Sequence, residues 1–343
     1  MERSPTPRQI AKALLEGIVP PRPLFLPIVF SIGAKLENVP LGAFLSNPTK
    51  ISSSLRQIRS HLRSDGVACY FDPCLEVEAL GATLERVNDD QPPIIHWPLP
   101  AKKGELPEGL CSPEEATKSG RVPVAAEVIR RMNALPNRDF LLMAGVTGPL
   151  TLAARITQLE HEGTLRTEDL SDAAQELVAA VVTQMATSYL EAGADLVMIQ
   201  EEIAPALSTE SCDAWANLLA PAMNVVRFYE ALPVLQFGTA SSILEDWDVI
   251  FQRQWDCVVC APLEAMASQR RTGILGTTGT KLGISLPLEL FRTDGSGGED
   301  LRQNLQPIIS ELRPAIITTA GDVPVTTDMK QLIKVLERIP RAV

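Results

Sequence analysis

Short apolar runs alternate with longer stretches of helical spacing along most of the chain. Eight runs read as strands: Leu24–Ser31, Gly66–Phe71, Phe140–Thr147, Asp195–Gln200, Pro233–Phe237, Asp256–Cys260, Lys281–Leu286 and Ala315–Thr319. Several are apolar nearly throughout, as a strand buried on both faces should be. Between them lie segments such as Leu170–Ala194, with apolar positions near helical spacing and Gly193 placed as a stop. Eight strand-then-helix units predict an α/β fold, a single (β/α)8 TIM barrel over residues 1–343, with an open doubly wound sheet as the alternative. Residues 1–21 predict an N-terminal helix. Residues 82–138 break the alternation; rich in Pro, Gly and charge, they read as a long insertion after the second strand. Excursions on that side of a barrel form an active-site wall or a lid.

Composition adds exclusions. A chain of 343 residues suits one large barrel, and 45% hydrophobic with 21% charged residues is ordinary for a globular core. The net charge of -11 is spread along the chain, and no Lys/Arg cluster is interleaved with aromatics, so nucleic acid is not an expected partner. Six cysteines in so long a chain do not make a disulfide scaffold. Met1–Gly17 lacks the apolar core of a signal peptide, and no run approaches the ~20 apolar residues of a membrane helix. The expected location is the cytoplasm.

In a parallel barrel the catalytic groups sit at the C-terminal ends of the strands. The richest end is Tyr70–Ala82, where Asp72, Glu76 and Glu78 follow an apolar strand within seven residues. Acids in a first helical turn also suit the helix dipole, which is the structural alternative. The other ends offer Ser31 to Lys35, Thr147-Gly148-Pro149, Gln200-Glu201-Glu202, Gln236-Phe237-Gly238-Thr239, Pro262 with Glu264, Pro287, and Gly321-Asp322. Carboxylates converging on one mouth raise one another's pKa and suit proton transfer, or they hold a cation. Cys257 and Cys260 form a CxxC inside an apolar strand, where alternation separates the thiols, so they read as inert. His61, His96 and His161 stand at no strand end. Gly276–Gly279 and Gly295–Gly298 lack the lysine and spacing of a phosphate loop.

Taken in order, Arg22-Pro23, Phe71-Asp72 through Gly81, Gly145 through Ala153, Glu191 through Asp195 and Gly321 through Pro324 resemble the uroporphyrinogen decarboxylase superfamily from about Arg22 onward. That group also holds corrinoid-dependent methyltransferases. The resemblance implies a barrel enzyme. Where decarboxylases carry an Arg-Gln-Ala-Gly-Arg stretch to grip substrate carboxylates, this chain reads Ser31-Ile32-Gly33-Ala34-Lys35; their histidine after strand eight is Asp322 here. Asp72 matches their aspartate after strand two. Glu76–Ala82 and Gly148–Ala153 look like the methyltransferase branch. The zinc ligands of that branch, His-x-Cys after strand five and Cys after strand eight, are replaced by Gln236, Gly238 and Asp322. No metal and no tightly bound cofactor are therefore expected, although a harder cation on Glu201 or Glu202, Gln236 and Asp322 stays open.

These readings converge on methyl transfer to or from a small organic substrate, of a corrinoid-linked demethylation type, with the corrinoid on a partner protein. The alternatives are cofactor-independent decarboxylation of a tetrapyrrole or other aromatic acid, and a binding barrel without chemistry. Asp72, Glu76 and Asp322 are the expected catalytic residues. Ser31, Lys35, Thr147, Glu201, Glu202 and Gln236 are the expected substrate contacts. The expected partners are a small molecule, a corrinoid protein and a second copy of the chain in a homodimer.

Overall fold

The structure is a computed structural model that describes residues 5–88, 93–99, 102–159, 163–206, 208–238, 247–253, 255, 257–263, 266, 280–291, 307, 309–337 and 339. Thr239, Glu264, His161, Asp256 and the two glycine-rich stretches lie outside the described residues. Eight strands form one all-parallel sheet: β1 (Leu24–Phe25), β2 (Gly66–Tyr70), β3 (Leu141–Thr147), β4 (Leu196–Glu201), β5 (Leu232–Phe237), β6 (Val258–Pro262), β7 (Lys281–Leu286) and β8 (Ile316–Thr319). Their order around the sheet is β1-β8-β7-β6-β5-β4-β3-β2. The seam between β1 and β2 is closed by the Asp65 N–H, which donates to the Phe25 carbonyl at 2.9 Å. Asp65 also accepts from the Phe25 N–H at 2.8 Å and takes both terminal nitrogens of Arg22 at 2.7 and 2.9 Å. The eight-stranded (β/α)8 expectation holds.

The first strand is shorter than its apolar run. Pro27 has no N–H to give to a ladder. Beyond it the free donors turn to side chains instead: Ile28 N–H to Thr319 Oγ1 at 3.0 Å, Phe30 N–H and Ser31 N–H to Asp322. The end of β1 is therefore laced to the end of β8 by a threonine and a carboxyl. This lacing carries Asp322 to the mouth of the barrel.

The 82–138 stretch is not a single insertion. A small hairpin pairs Thr83–Glu85 with Ile94–His96. A short helix, Pro113–Ala116, follows a capping box of Ser112 and Glu115. Helix Val122–Asn133 then packs on β2 and on helix Pro48–Leu62 as an ordinary barrel helix, burying Val122, Ala125, Ala126, Val128, Ile129 and Met132. Its apolar positions recur at helical spacing, but Pro123 and the glycines before it hide the onset. Helix Asp172–Glu191 behaves as its sequence suggests, with Ser171 as N-cap and Gly193 beyond its end. Gly193 is required twice: its φ is +104, and a Cβ there would come within 2.3 Å of the Asn133 amide. No helix among the described residues is long and apolar enough to cross a membrane.

Candidate active site

Strand alternation sorts the predicted residues into two faces. On β4 and β5, Gln200 and Gln236 are neighbours in register and face the barrel interior, while Glu201 and Phe237, also neighbours, face the helices. Gln236 is fully buried. Its Oε1 accepts from Gln200 Nε2 at 2.7 Å, and its Nε2 donates to the Thr319 carbonyl of β8. A chain of neutral amides thus crosses the barrel under the mouth.

Asp322 stands where the ends of β1 and β8 are laced together. It is half-buried, and its two oxygens accept the Phe30 N–H at 2.8 Å and the Ser31 N–H at 2.9 Å. Burial outweighs these bonds and, with a smaller contribution from the Asp72 charge, pushes its pKa up to about 7. Ser31 is brought to the same place and its hydroxyl donates to the Val323 carbonyl at 3.3 Å. Lys35 is exposed and its Nζ points at the Thr327 carbonyl, 3.4 Å away, rather than into the mouth.

Asp72 stands at the mouth in an arrangement the sequence did not suggest. Arg121 donates from Nη1 to Asp72 Oδ2 at 2.5 Å, from Nε to Glu78 Oε2 at 2.7 Å, and from Nη1 to the Tyr70 hydroxyl at 3.4 Å. Arg86 approaches the same Asp72 oxygen at 4.0 Å. The other Asp72 oxygen accepts the Cys74 N–H at 3.0 Å and shapes the turn after β2. The pairing of β2 with β3 shifts register between Ala68 and Tyr70. Such an irregularity re-aims side chains at a strand end, and the Tyr70 ring lies 5.0 Å from that of Phe30.

Two further acids are anchors. Glu76 is buried, and its oxygens accept the Thr147 N–H at 2.9 Å and the Thr147 hydroxyl at 2.7 Å, tying the helix after β2 to the end of β3. Burial pushes its pKa up, against those two bonds. The expected acid/base role for Glu76 and contact role for Thr147 give way to this mutual staple. Glu201 likewise differs from its expected contact role. Its carboxyl accepts the Leu150 and Thr151 N–H groups at 3.0 and 2.9 Å, the Thr151 hydroxyl at 2.6 Å and the Trp215 indole N–H at 2.9 Å. It caps helix Pro149–Thr157 from outside the barrel, in the manner of an anion at a helix N-terminus. Glu202 is exposed and pairs with Arg155 at 2.6 Å.

The sequence missed Arg121 and Arg155. Arg155 also donates to the Pro73 carbonyl, so both arginines grip the β2 turn. Arg121 lies 49 residues beyond Asp72, and the only cue was a cation in a segment expected to fold over the mouth. His61 and His96 are bound to Gln57 and Glu85 on the exposed surface. Among the described residues no three His, Cys, Asp or Glu side chains come together to hold a metal. Of the residues expected around a cation, Gln236 is committed at both ends of its amide, Glu201 points away from Asp322, Glu202 pairs with Arg155, and Gly238 offers no ligand.

A family model described as uroporphyrinogen decarboxylase (URO-D) matches residues 7–339. The chain belongs to the uroporphyrinogen decarboxylase family. Within reach of this family member is a methylcobamide:CoM methyltransferase, MtaA, of Methanosarcina barkeri, 26% identical over 136 residues. That match covers 38% of this chain and 39% of the relative. A second MtaA sequence of Methanosarcina barkeri is 25% identical over the same length. Among solved structures, a methyltransferase from Methanosarcina mazei covers 97% of this chain, and 98% of its own length is matched, at a TM-score of 0.73 and 16% identity. That likeness is one of fold. The barrel of this uroporphyrinogen decarboxylase family member is therefore shared with a methyltransferase along nearly its whole length.

Proposed function

We propose that this chain is a methyltransferase that removes a methyl group from a small methoxy or methylamine compound and passes it to a corrinoid carried by a partner protein. The observation that carries the reading is the Asp322 carboxyl, half-buried at the mouth with a pKa near 7. A good part of it holds a proton at neutral pH. A departing oxygen or nitrogen needs that proton as its bond to the methyl carbon breaks, which is general acid work. The Phe30 and Ser31 N–H groups then face the carboxylate that remains.

The corrinoid would supply the methyl acceptor. The chain's own residues hold the compound: Gln200 and Ser31 offer neutral polar contacts, and the fully buried Gln236 holds Gln200 in place. Asp72, held in its ion pair with Arg121, sets the charge around the mouth. Decarboxylation of a polyacid asks for cations free to grip carboxylates. Arg121 and Arg155 each already bind acids, and Lys35 leans toward a carbonyl. The MtaA relatives support the methyl-transfer side of the family over this shorter stretch.

The test is to mix purified protein with cob(I)alamin and either methoxyphenol or trimethylamine and follow the corrinoid spectrum. Methylcobalamin formation that depends on the protein is expected. Carbon dioxide release from an aromatic acid, with no methylation of the corrinoid, would favour the decarboxylase reading. Neither reaction would leave a binding barrel.

A further inference from the structure

The opposite, N-terminal face of the barrel carries a second concave site. A groove of about 710 Å3 lies between the chain entering β1 and the starts of β7 and β8. That volume suits a small molecule. Its walls are apolar, built by Ile18, Val19, Leu282 and Leu312 among others. Ile18 and Val19 remain 56% and 89% exposed. They lie in irregular chain between helix Pro7–Leu15 and β1, outside any helix or strand.

The charged residues lining the groove are Arg22, Lys281 and Arg313; no acid lines it among the described residues, although the chain as a whole carries a net charge of -11. Arg22 is used by Asp65 at the barrel seam. The Lys281 and Arg313 side chains make no ion pair or hydrogen bond in the described structure. Arg313 also occupies a left-handed backbone position, φ +44, where its N–H closes onto the Ile309 carbonyl. Glycine or asparagine is the usual choice there. Two unpaired cations at the edge of an apolar groove complement an anionic head on an apolar body.

We infer that this groove binds a small amphipathic carboxylate, aliphatic or aromatic. Its head lies between Lys281 and Arg313, where a guanidinium can take both oxygens, and its body rests on Ile18, Val19, Leu282 and Leu312. The site is at the far end of the barrel from Asp322 and is independent of the methyl-transfer reading.

Calorimetric titration of the full chain with octanoate and benzoate tests this, with octanol and benzyl alcohol as neutral comparators. Saturable binding of at least one carboxylate is expected, weakened by added salt and about tenfold or more tighter than its neutral counterpart, the usual worth of a charge-assisted bond. Lys281→Gln and Arg313→Gln should each weaken it by about tenfold at unchanged melting temperature, and Val19→Ser should weaken both probes. Asp322→Asn should leave binding as it is. Absence of saturable binding, equal binding of the alcohols, insensitivity to both Lys281→Gln and Arg313→Gln, or loss of binding in Asp322→Asn would each overturn the inference.

Discussion

Arg121 Nη1 lies 2.5 Å from Asp72 Oδ2, with the two side chains 12% and 5% exposed. This pair joins the end of β2 to the start of helix Val122–Asn133, and Glu78 shares the guanidinium through Nε. Asp72 is thereby a fixed charge at the mouth, and its removal and that of Arg121 are not equivalent. Loss of the arginine takes the short ion pair from two acids and leaves Asp72 only the Arg86 contact at 4.0 Å, whereas loss of Asp72 leaves Arg121 still paired to Glu78.

Arg121→Met is accordingly expected to destabilise the protein by about 3 kcal/mol, the scale for breaking a buried pair from one side. Asp72→Asn should cost clearly less. The double variant should cost less than the two single changes added together. Urea unfolding of the three variants checks this; additive losses would mean that the pair contributes nothing as a unit.

Glu201 is expected to act on stability and not on substrate affinity. Glu201→Gln keeps the shape but turns an amide N–H2 toward donors, so about 2 kcal/mol should be lost, with KM little changed. Gly148→Ala should be at least as harmful, because its Cβ would stand 2.3 Å from Glu201 Cδ and expel the cap. A Glu201→Gln protein of wild-type stability with a raised KM would return Glu201 to the substrate site.

Asp322 and Glu201 both hold pKa values pushed up to about 7 by burial. The folded protein keeps protons there that the unfolded chain releases near pH 4. Their stabilising contribution is full below that lower value and is lost as pH rises through about 7. The stability lead of wild type over Asp322→Asn should therefore shrink between pH 5 and pH 8, read from urea midpoints. A lead that grows with pH would show that the carboxyl is ionised in the fold.

Much of the barrel was legible because buried parallel strands are apolar on both faces, and Val258–Pro262 or Leu196–Glu201 can hardly be anything else. The shortening of β1 was legible only in part: Pro27 is visible, but its side-chain lacing to Thr319 and Asp322 joins residues nearly 300 apart. The strand-end rule placed Asp72, Ser31, Gln236 and Asp322 at the ends of their strands, where the structure has them. They failed at Glu201 because a strand end carries one residue inward and the next outward, and Glu201 follows Gln200 by a single step. Arg121 was hidden because a long-range ion pair leaves no periodicity.

In the proposed reaction Asp322, and not Asp72, gives the proton to the leaving group. The most direct measurement is the pH dependence of methyl transfer by wild type, Asp322→Asn and Asp72→Asn, followed as methylcobalamin formation under saturating donor. The wild-type rate should fall as pH rises through about 7. The Asp322→Asn rate should be lowered by roughly 10²-fold, the usual scale for a general acid, and be flat across that range, and the Asp72→Asn rate should be lowered less with the wild-type profile kept. An Asp322→Asn enzyme that retains the wild-type profile, while Asp72→Asn loses it, would instead make Asp72 the proton donor.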